Sequence, residues 1–386
     1  MAGPAQPADA DARLFVPIAA GEAVVTLPLY LSPLILDALV VGLGLTPEQA
    51  GLLLALEFVT LALVTIFGAM VLPRRLWKGF ALGGLVLAVA AHVASMLTPG
   101  FMALGACRAL AGIGEGALYL ACTGYLPEAR NRERLAAVTV SCSVIHGTIW
   151  LVLFPPLLVV LGYRAIFLIQ AVAAGALWPL IRRLPSVSSS PASTNAPRAA
   201  APATVRGILL PIAVFASQIG QGCFWTFVPL AGAQADLGPG EIDMVLSLST
   251  LALLIGPVAA GLLATRLGHS LPLVGGMLVN TAAMALAFTS KGLPVFLAAN
   301  LVQAGTNLFA VVYQIGLTAR ADGRGRIAAT AASAVLLGNG LAPAFAGEIV
   351  DCAGLSTLLA SIVAFNLLAL LLYGIYGARA KGSGRP

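Results

Sequence analysis

Apolar runs of 17 to 25 residues recur twelve times along this chain, with short polar connections between them. A helix crosses the hydrocarbon of a bilayer with roughly 20 mostly apolar residues, so each run is long enough for one crossing. Spans are expected at 14–36, 49–71, 80–97, 101–124, 135–158, 165–181, 208–232, 242–264, 271–289, 294–318, 328–350 and 357–377. Charged residues make up 9% of the chain, against about 25% in a soluble protein. The expected fold is an all-α membrane protein with twelve transmembrane helices and no soluble domain of useful size. The polar, mildly acidic start MAGPAQPADADAR lacks the basic segment of a secretory signal. The run after it, with Glu22 inside, reads as a retained first helix.

The connections alternate in charge. One side of the membrane receives Arg13; Arg74, Arg75 and Lys78; Arg130, Arg132 and Arg134; Arg182, Arg183, Arg198 and Arg206; Arg266; Arg320, Arg324 and Arg326; and Arg379, Lys381 and Arg385. The opposite side receives only Arg164 and Lys291, and Arg108 falls within a run. Basic residues are held in the cytoplasm during insertion. Both termini are therefore expected in the cytoplasm, in a cell (inner) membrane, with an even number of crossings. Topology accounts for the net charge of +6, and no nucleic-acid partner is needed. The stretch RRLPSVSSSPASTNAPRAAAPATVRG, 182–207, is rich in Ser, Ala and Pro without an apolar period and reads as a flexible cytoplasmic linker. It divides the chain into an N-terminal six-helix bundle, 1–181, and a C-terminal one, 208–377, with a cytoplasmic tail at 378–386. The five cysteines form no CxxC pair, so neither a metal site nor a disulfide framework is expected.

The two halves echo each other. Gly68 is followed by AMVLPRRLWK and Gly261 by LLATRLGHS, each a short basic turn between the second and third helix of its half. An internal repeat of six helices is a transporter architecture. At this point the sequence resembles the major facilitator superfamily. The turn Gly261…Thr265-Arg266-Leu267-Gly268-His269 is similar to that family's signature loop, with Thr265 where the family has Asp. Its counterpart keeps Arg74, Arg75 and Lys78. Arg108 with Gly112, Gly114 and Gly116 resembles the fourth-helix signature, and LGYRAIFL, 161–168, the start of helix six. The resemblance covers the whole chain. It implies two pseudo-symmetric six-helix bundles, a gating loop at Gly68, Arg74, Arg75, Gly261, Arg266 and Gly268, and a central cavity lined by helices one, four, seven and ten. Pro155-Pro156 is present in helix five, but no Gly occurs from 148 to 161, unlike the family's drug–proton antiporters.

Charges inside spans cost about 2.5–3.5 kcal/mol each by insertion scales, so they face a cavity or a partner. Arg108 and Glu115 share one face of helix four but stand about 10 Å apart along it, too far to pair directly. Depth counting places Arg108 level with Glu57, and Glu22 level with Glu115, so the expectation is one Arg108–Glu57 pair and a second polar site shared by Glu22 and Glu115. Gly112 and Gly116 form a GxxxG that suits close helix packing. Three polar stripes stand out. Helix ten carries Asn300, Gln303, Asn307 and Gln314; helix seven carries Gln218, Gln221 and Trp225; helix five carries Thr139, Ser143, His146 and Trp150. Unpaired amides are costly against lipid, so each stripe suits either a wet cavity wall or interhelical hydrogen bonds.

No GxxxxGK[ST], HExxH or GxSxG is present, so neither ATP-driven pumping nor enzymatic hydrolysis is expected, and no cofactor. An ion gradient remains as the energy source. The expected function is secondary active transport of a small organic solute by alternating access, proton-coupled through Glu22, Glu57, Arg108, Glu115 or His146. Arg108, Glu115 and the stripes on helices seven and ten are the candidate solute contacts. The expected partners are the solute, protons and the lipid bilayer, with the chain acting as a monomer. An exporter of lipophilic compounds and a non-transporting receptor are the rival readings.

Overall fold

A computed structural model describes residues 7–125, 132–184, 205–263, 270–321 and 326–382. All regular structure in them is helical: α1 Pro7–Leu43, α2 Pro47–Val71, α3 Trp77–Leu97, α4 Phe101–Tyr125, α5 Arg132–Leu161, α6 Arg164–Ile181, α7 Val205–Gln234, α8 Pro239–Ala252, α9 Ile255–Leu263, α10 Ser270–Thr289, α11 Leu293–Ala321 and α12 Arg326–Gly382, with one 3₁₀ turn at Arg74–Leu76 before α3. Helices meet the demand of a hydrocarbon solvent, because every backbone polar group is bonded within its own segment.

Three elements differ from the sequence expectation. The first helix continues past Leu36 to Leu43 and takes Asp37 into it. The residues beyond Asp37 are apolar, the acid occupies an exposed face, and the helix stops only where Gly44 adopts φ 65°. The eighth run is divided at Leu253–Leu254 into α8 and α9. Pro257 accounts for this, since its ring collides with the carbonyl four residues earlier, at Leu253. The last two runs form one continuous element, α12, broken at Gly354 (φ 77°, ψ 177°). Eleven candidate crossings occur among the described residues, and the last of them, Ala334–Gly377, is 44 residues long. At 1.5 Å per residue that is about 66 Å, twice the roughly 30 Å hydrocarbon thickness. The break at Gly354 divides it into two arms and brings the total to twelve. The protein is a multi-pass membrane protein.

The chain forms two compact units, one of residues 1–45 and 53–190, the other of residues 46–52 and 191–386. Most of the segment 182–207 lies outside the described residues. In the first unit, glycines set the spacing of α4. A Cβ on Gly112 would strike the carbonyl of Glu57 in α2, and one on Gly116 would lie 2.6 Å from the carbonyl of Leu61. On the other side a Cβ on Gly84 of α3 would lie 2.5 Å from the carbonyl of Gly114. The α4 backbone is thus in contact with both α2 and α3, which puts short reach between side chains on the three. In the second unit, α7 runs against α12 over a core of Leu210, Ala213, Met277, Tyr313 and Tyr373. There Gly256 makes the close approach, 2.5 Å from its notional Cβ to the carbonyl of Gly305 in α11.

Candidate functional site

Arg108 is 2% exposed and spends its guanidinium on three neighbouring helices. Nη1 donates to Glu57 Oε1 of α2 at 3.1 Å and to Gln170 Oε1 of α6 at 3.4 Å. Nη2 donates to Ser95 Oγ at 2.6 Å and to His92 Nδ1 at 3.2 Å, both on α3. The cation also stands 4.6 Å from the ring centroid of Phe167. The pair with Glu57 is where the depth count places it.

His92 is the residue that sequence reasoning passed over. Its other nitrogen, Nε2, is 3.2 Å from Glu115 Oε1. Arg108 and Glu115, too far apart on α4 to touch, are therefore joined through an imidazole supplied by α3. Arginine only donates, so Nδ1 must accept and Nε2 must carry the hydrogen that bonds Glu115. The available signal was a titratable residue in mid-span with Ser95 less than one turn on. Two atoms of this group, Arg108 Nε and Glu115 Oε2, are buried and have no hydrogen-bond partner among the described residues. Ligand atoms of Glu57, His92 and Glu115 lie within 4.8 Å of one another, a set of the right types for a divalent ion. The set does not fit a resident metal, because two of its three members are already bonded to a guanidinium that cannot lose its charge.

Glu22 does not share a site with Glu115. It bonds the Thr139 hydroxyl of α5 and lies within electrostatic reach of Tyr30, Tyr119 and Cys122, while the charged neighbours of Glu115 are Glu57 and Arg108. Axial register explains the correction. A Cβ on Gly21 would meet Cys122 Sγ, and Cys122 is about 10 Å along α4 from Glu115. The α5 stripe turns toward α1 in the same place, with Ser143 Oγ 3.4 Å from Tyr30 Oη. His146 stays on this side of the unit, accepting from Trp150 Nε1 at 2.9 Å across an edge-on ring contact.

The stripes of the second unit bond to each other and to neighbours the sequence did not single out. Gln303 Nε2 donates to Gln221 Oε1 at 2.8 Å, tying α11 to α7, and Gln314 Nε2 donates to Ser217 Oγ at 3.1 Å. Asn339 of α12 donates to Gln218 Oε1 at 3.2 Å, and Asn280 of α10 donates to the Gln303 carbonyl at 2.9 Å. Asn300 donates to its own helix at the Phe296 carbonyl, 2.8 Å. Gln218 Nε2 and Asn300 Oδ1 remain buried without a partner among the described residues. Asn307 and Trp225 are partly accessible.

Of the proposed gating loop, Arg74 donates to the Gly124 carbonyl at 3.1 Å, a cation at the C-terminus of α4, and lies 5.1 Å from the centre of the Trp77 ring. Gly68 packs against Leu120, and Arg75 is exposed. Gly261 is part of α9, while Arg266 and Gly268 lie outside the described residues.

No family model and no curated protein sequence matches this chain. A crystal structure of nucleoside transporter NupG matches it in three dimensions, with a TM-score of 0.69 over 95% of this chain and 99% of that one. The chain shares the all-helical, multi-span membrane fold of that transporter. Sequence identity across the match is 12%, so the likeness is one of fold and assigns no side-chain role. Within this fold the described polar residues form an ionic group around Arg108, a separate group around Glu22 between α1 and α5, and a set of amides in the second unit.

Proposed function

We propose that this protein is a secondary active transporter that moves a small organic solute across the membrane by alternating access, driven by protons. The observation that carries the reading is the buried group of Arg108, Glu57, His92 and Glu115 in a major facilitator fold. Each charge placed in a span costs about 2.5–3.5 kcal/mol, and ionisable groups kept there at such cost serve charge or proton movement more often than packing. Glu22 and His146, near Thr139 and Trp150, are the other candidates for proton handling.

Arg108 is engaged by Glu57, which leaves it unsuited to capture an anionic solute. The second unit offers neutral donors and acceptors at Gln218, Gln221, Asn300, Gln303, Asn307 and Gln314, with Trp225 as an aromatic face. This favours an uncharged, hydrogen-bonding solute, and nucleosides are the first to test because NupG is a nucleoside transporter. The reading includes cytoplasmic termini, a cytoplasmic 182–207 linker, a monomeric chain, no cofactor and no enzymatic step.

The test is uptake by proteoliposomes of radiolabelled nucleosides, sugars and organic ions under an imposed proton gradient. Uphill accumulation that collapses with a protonophore is expected. Accumulation indifferent to the protonophore would remove proton coupling. Raised tolerance of a pump-deficient host to unrelated lipophilic toxins, without solute uptake, would favour the exporter.

A further inference from the structure

The charges of the first unit's buried group do not balance. Arg108 contributes one positive charge, and Glu57 and Glu115 contribute two negative ones when both are ionised. The other side chains facing the group, Ser95 of α3 and Phe167 and Gln170 of α6, are neutral. His92 is neutral as well. A second N–H, at Nδ1, would point at the Nη2 donor of Arg108, 3.2 Å away. Glu22, Tyr119 and Cys122 belong to the separate group beside α1 and α5. One negative charge is therefore left over in a site that Arg108, Glu57, His92 and Glu115 bury almost completely. An uncompensated charge there is costly, and one bound proton removes it.

The hydrogen bonds decide where that proton goes. Glu57 Oε1 accepts from Arg108 Nη1, which makes Glu57 the ionised partner. Glu115 Oε1 accepts from His92 Nε2–H, and Glu115 Oε2 is buried with no partner among the described residues. We propose that Glu115 Oε2 is the atom that binds the transported proton, and that His92 is the positioning residue that presents it. This rests on the reading of the protein as a proton-driven transporter. Binding forms one O–H bond at Oε2, takes the group from one net negative charge to neutral, and reverses on release without breaking any other bond. His92 does not carry the proton. Its imidazole, clamped by Arg108 at Nδ1, holds Oε1 and leaves Oε2 open. A change in the Arg108–Glu57 contact thereby reaches Glu115 through one rigid ring.

The experiment is an infrared pH titration of the full-length protein in lipid, following the carbonyl stretch of a protonated carboxyl group. One titrating band is expected in the unmodified chain. It should vanish in E115Q, persist in E57Q with its midpoint moved to lower pH because one of the two negative charges is gone, and persist with a displaced midpoint in E115D, which serves if E115Q does not fold. H92Q supplies an acceptor and a donor in place of the two ring nitrogens and should keep the original midpoint. H92L should move it by about one pH unit, a tenfold change in proton affinity. A band that survives E115Q, or a midpoint unmoved in H92L, would overturn the assignment, as would sodium-dependent accumulation with no titrating band. The two readings separate cleanly. A Glu115 band in a protein without proton-driven flux removes the transport reading and leaves Glu115 Oε2 as a proton-binding atom that drives nothing. Proton-driven flux retained by E115Q removes the Glu115 assignment alone.

Discussion

Where α2, α3 and α4 meet in the first unit, ionisable side chains bond one another. Where α7, α10 and α11 meet in the second, amides do the same work. The first set links three consecutive helices, the second ties α11 back to α7, 82 residues away in the chain, and each leaves two buried atoms without a partner among the described residues. They differ in their response to the loss of one member. An amide whose partner disappears loses a hydrogen bond, worth little inside a membrane protein because the unfolded chain finds partners too. A guanidinium whose carboxylate disappears is left as a bare buried charge. The first unit is thus a single cooperative object, and the second is a set of separable contacts.

Substitutions in the two units should rank accordingly. Removing Glu57 as E57L should destabilise the protein by about 3–5 kcal/mol. The double variant E57L/R108M should recover much of that, as read by unfolding in detergent. A double variant no better than the single would mean that the ionic group is not one cooperative object. Next comes G112A, whose new methyl would strike the Glu57 carbonyl. Overpacking of that kind costs about 1–3 kcal/mol, and it should also lower transport by spreading α2 from α4. In the second unit, a double-mutant cycle on Gln221 and Gln303 should return a coupling of about 0.6 kcal/mol. A value as large as that for Glu57 and Arg108 would erase the distinction between the units. The smallest effect belongs to R74A, about 0.3–1 kcal/mol, through loss of a half-exposed cation at the end of α4.

The twelve runs were legible because spanning length is a property of composition alone. A break between the last two runs was legible for the same reason, since 328–350 and 357–377 leave a gap that contains Gly354. The extent of α1 was not, because a single acid such as Asp37 ends a run on paper but not in space. The Arg108–Glu57 pair could be reached by counting depth from the outer ends of two helices. His92 could not, since a lone histidine in an apolar helix says nothing about which way it faces. The same holds for Asn339, whose partner Gln218 is 121 residues away in the chain. Glu22 went astray because counting from an assumed helix start placed it level with Glu115, and packing at Gly21 set a different register.

The order of these helices along the chain bears on how the protein is made. The most hydrophilic candidate crossing is Phe101–Cys122, with a mean hydropathy of 1.2, against 2.3 for Pro47–Val71 and 2.0 for Arg74–Leu97. The ribosome delivers the two strongly apolar segments first, and they carry Glu57 and His92. Arg108 then arrives when both of these bonding partners are already in the bilayer. Entry of α4 from the translocon is, on this account, a docking step rather than a partitioning step. Glycosylation mapping of nascent chains would reveal it as a fourth segment that spans in the natural chain and slips back into the lumen or cytosol when Glu57 and His92 are replaced by leucine.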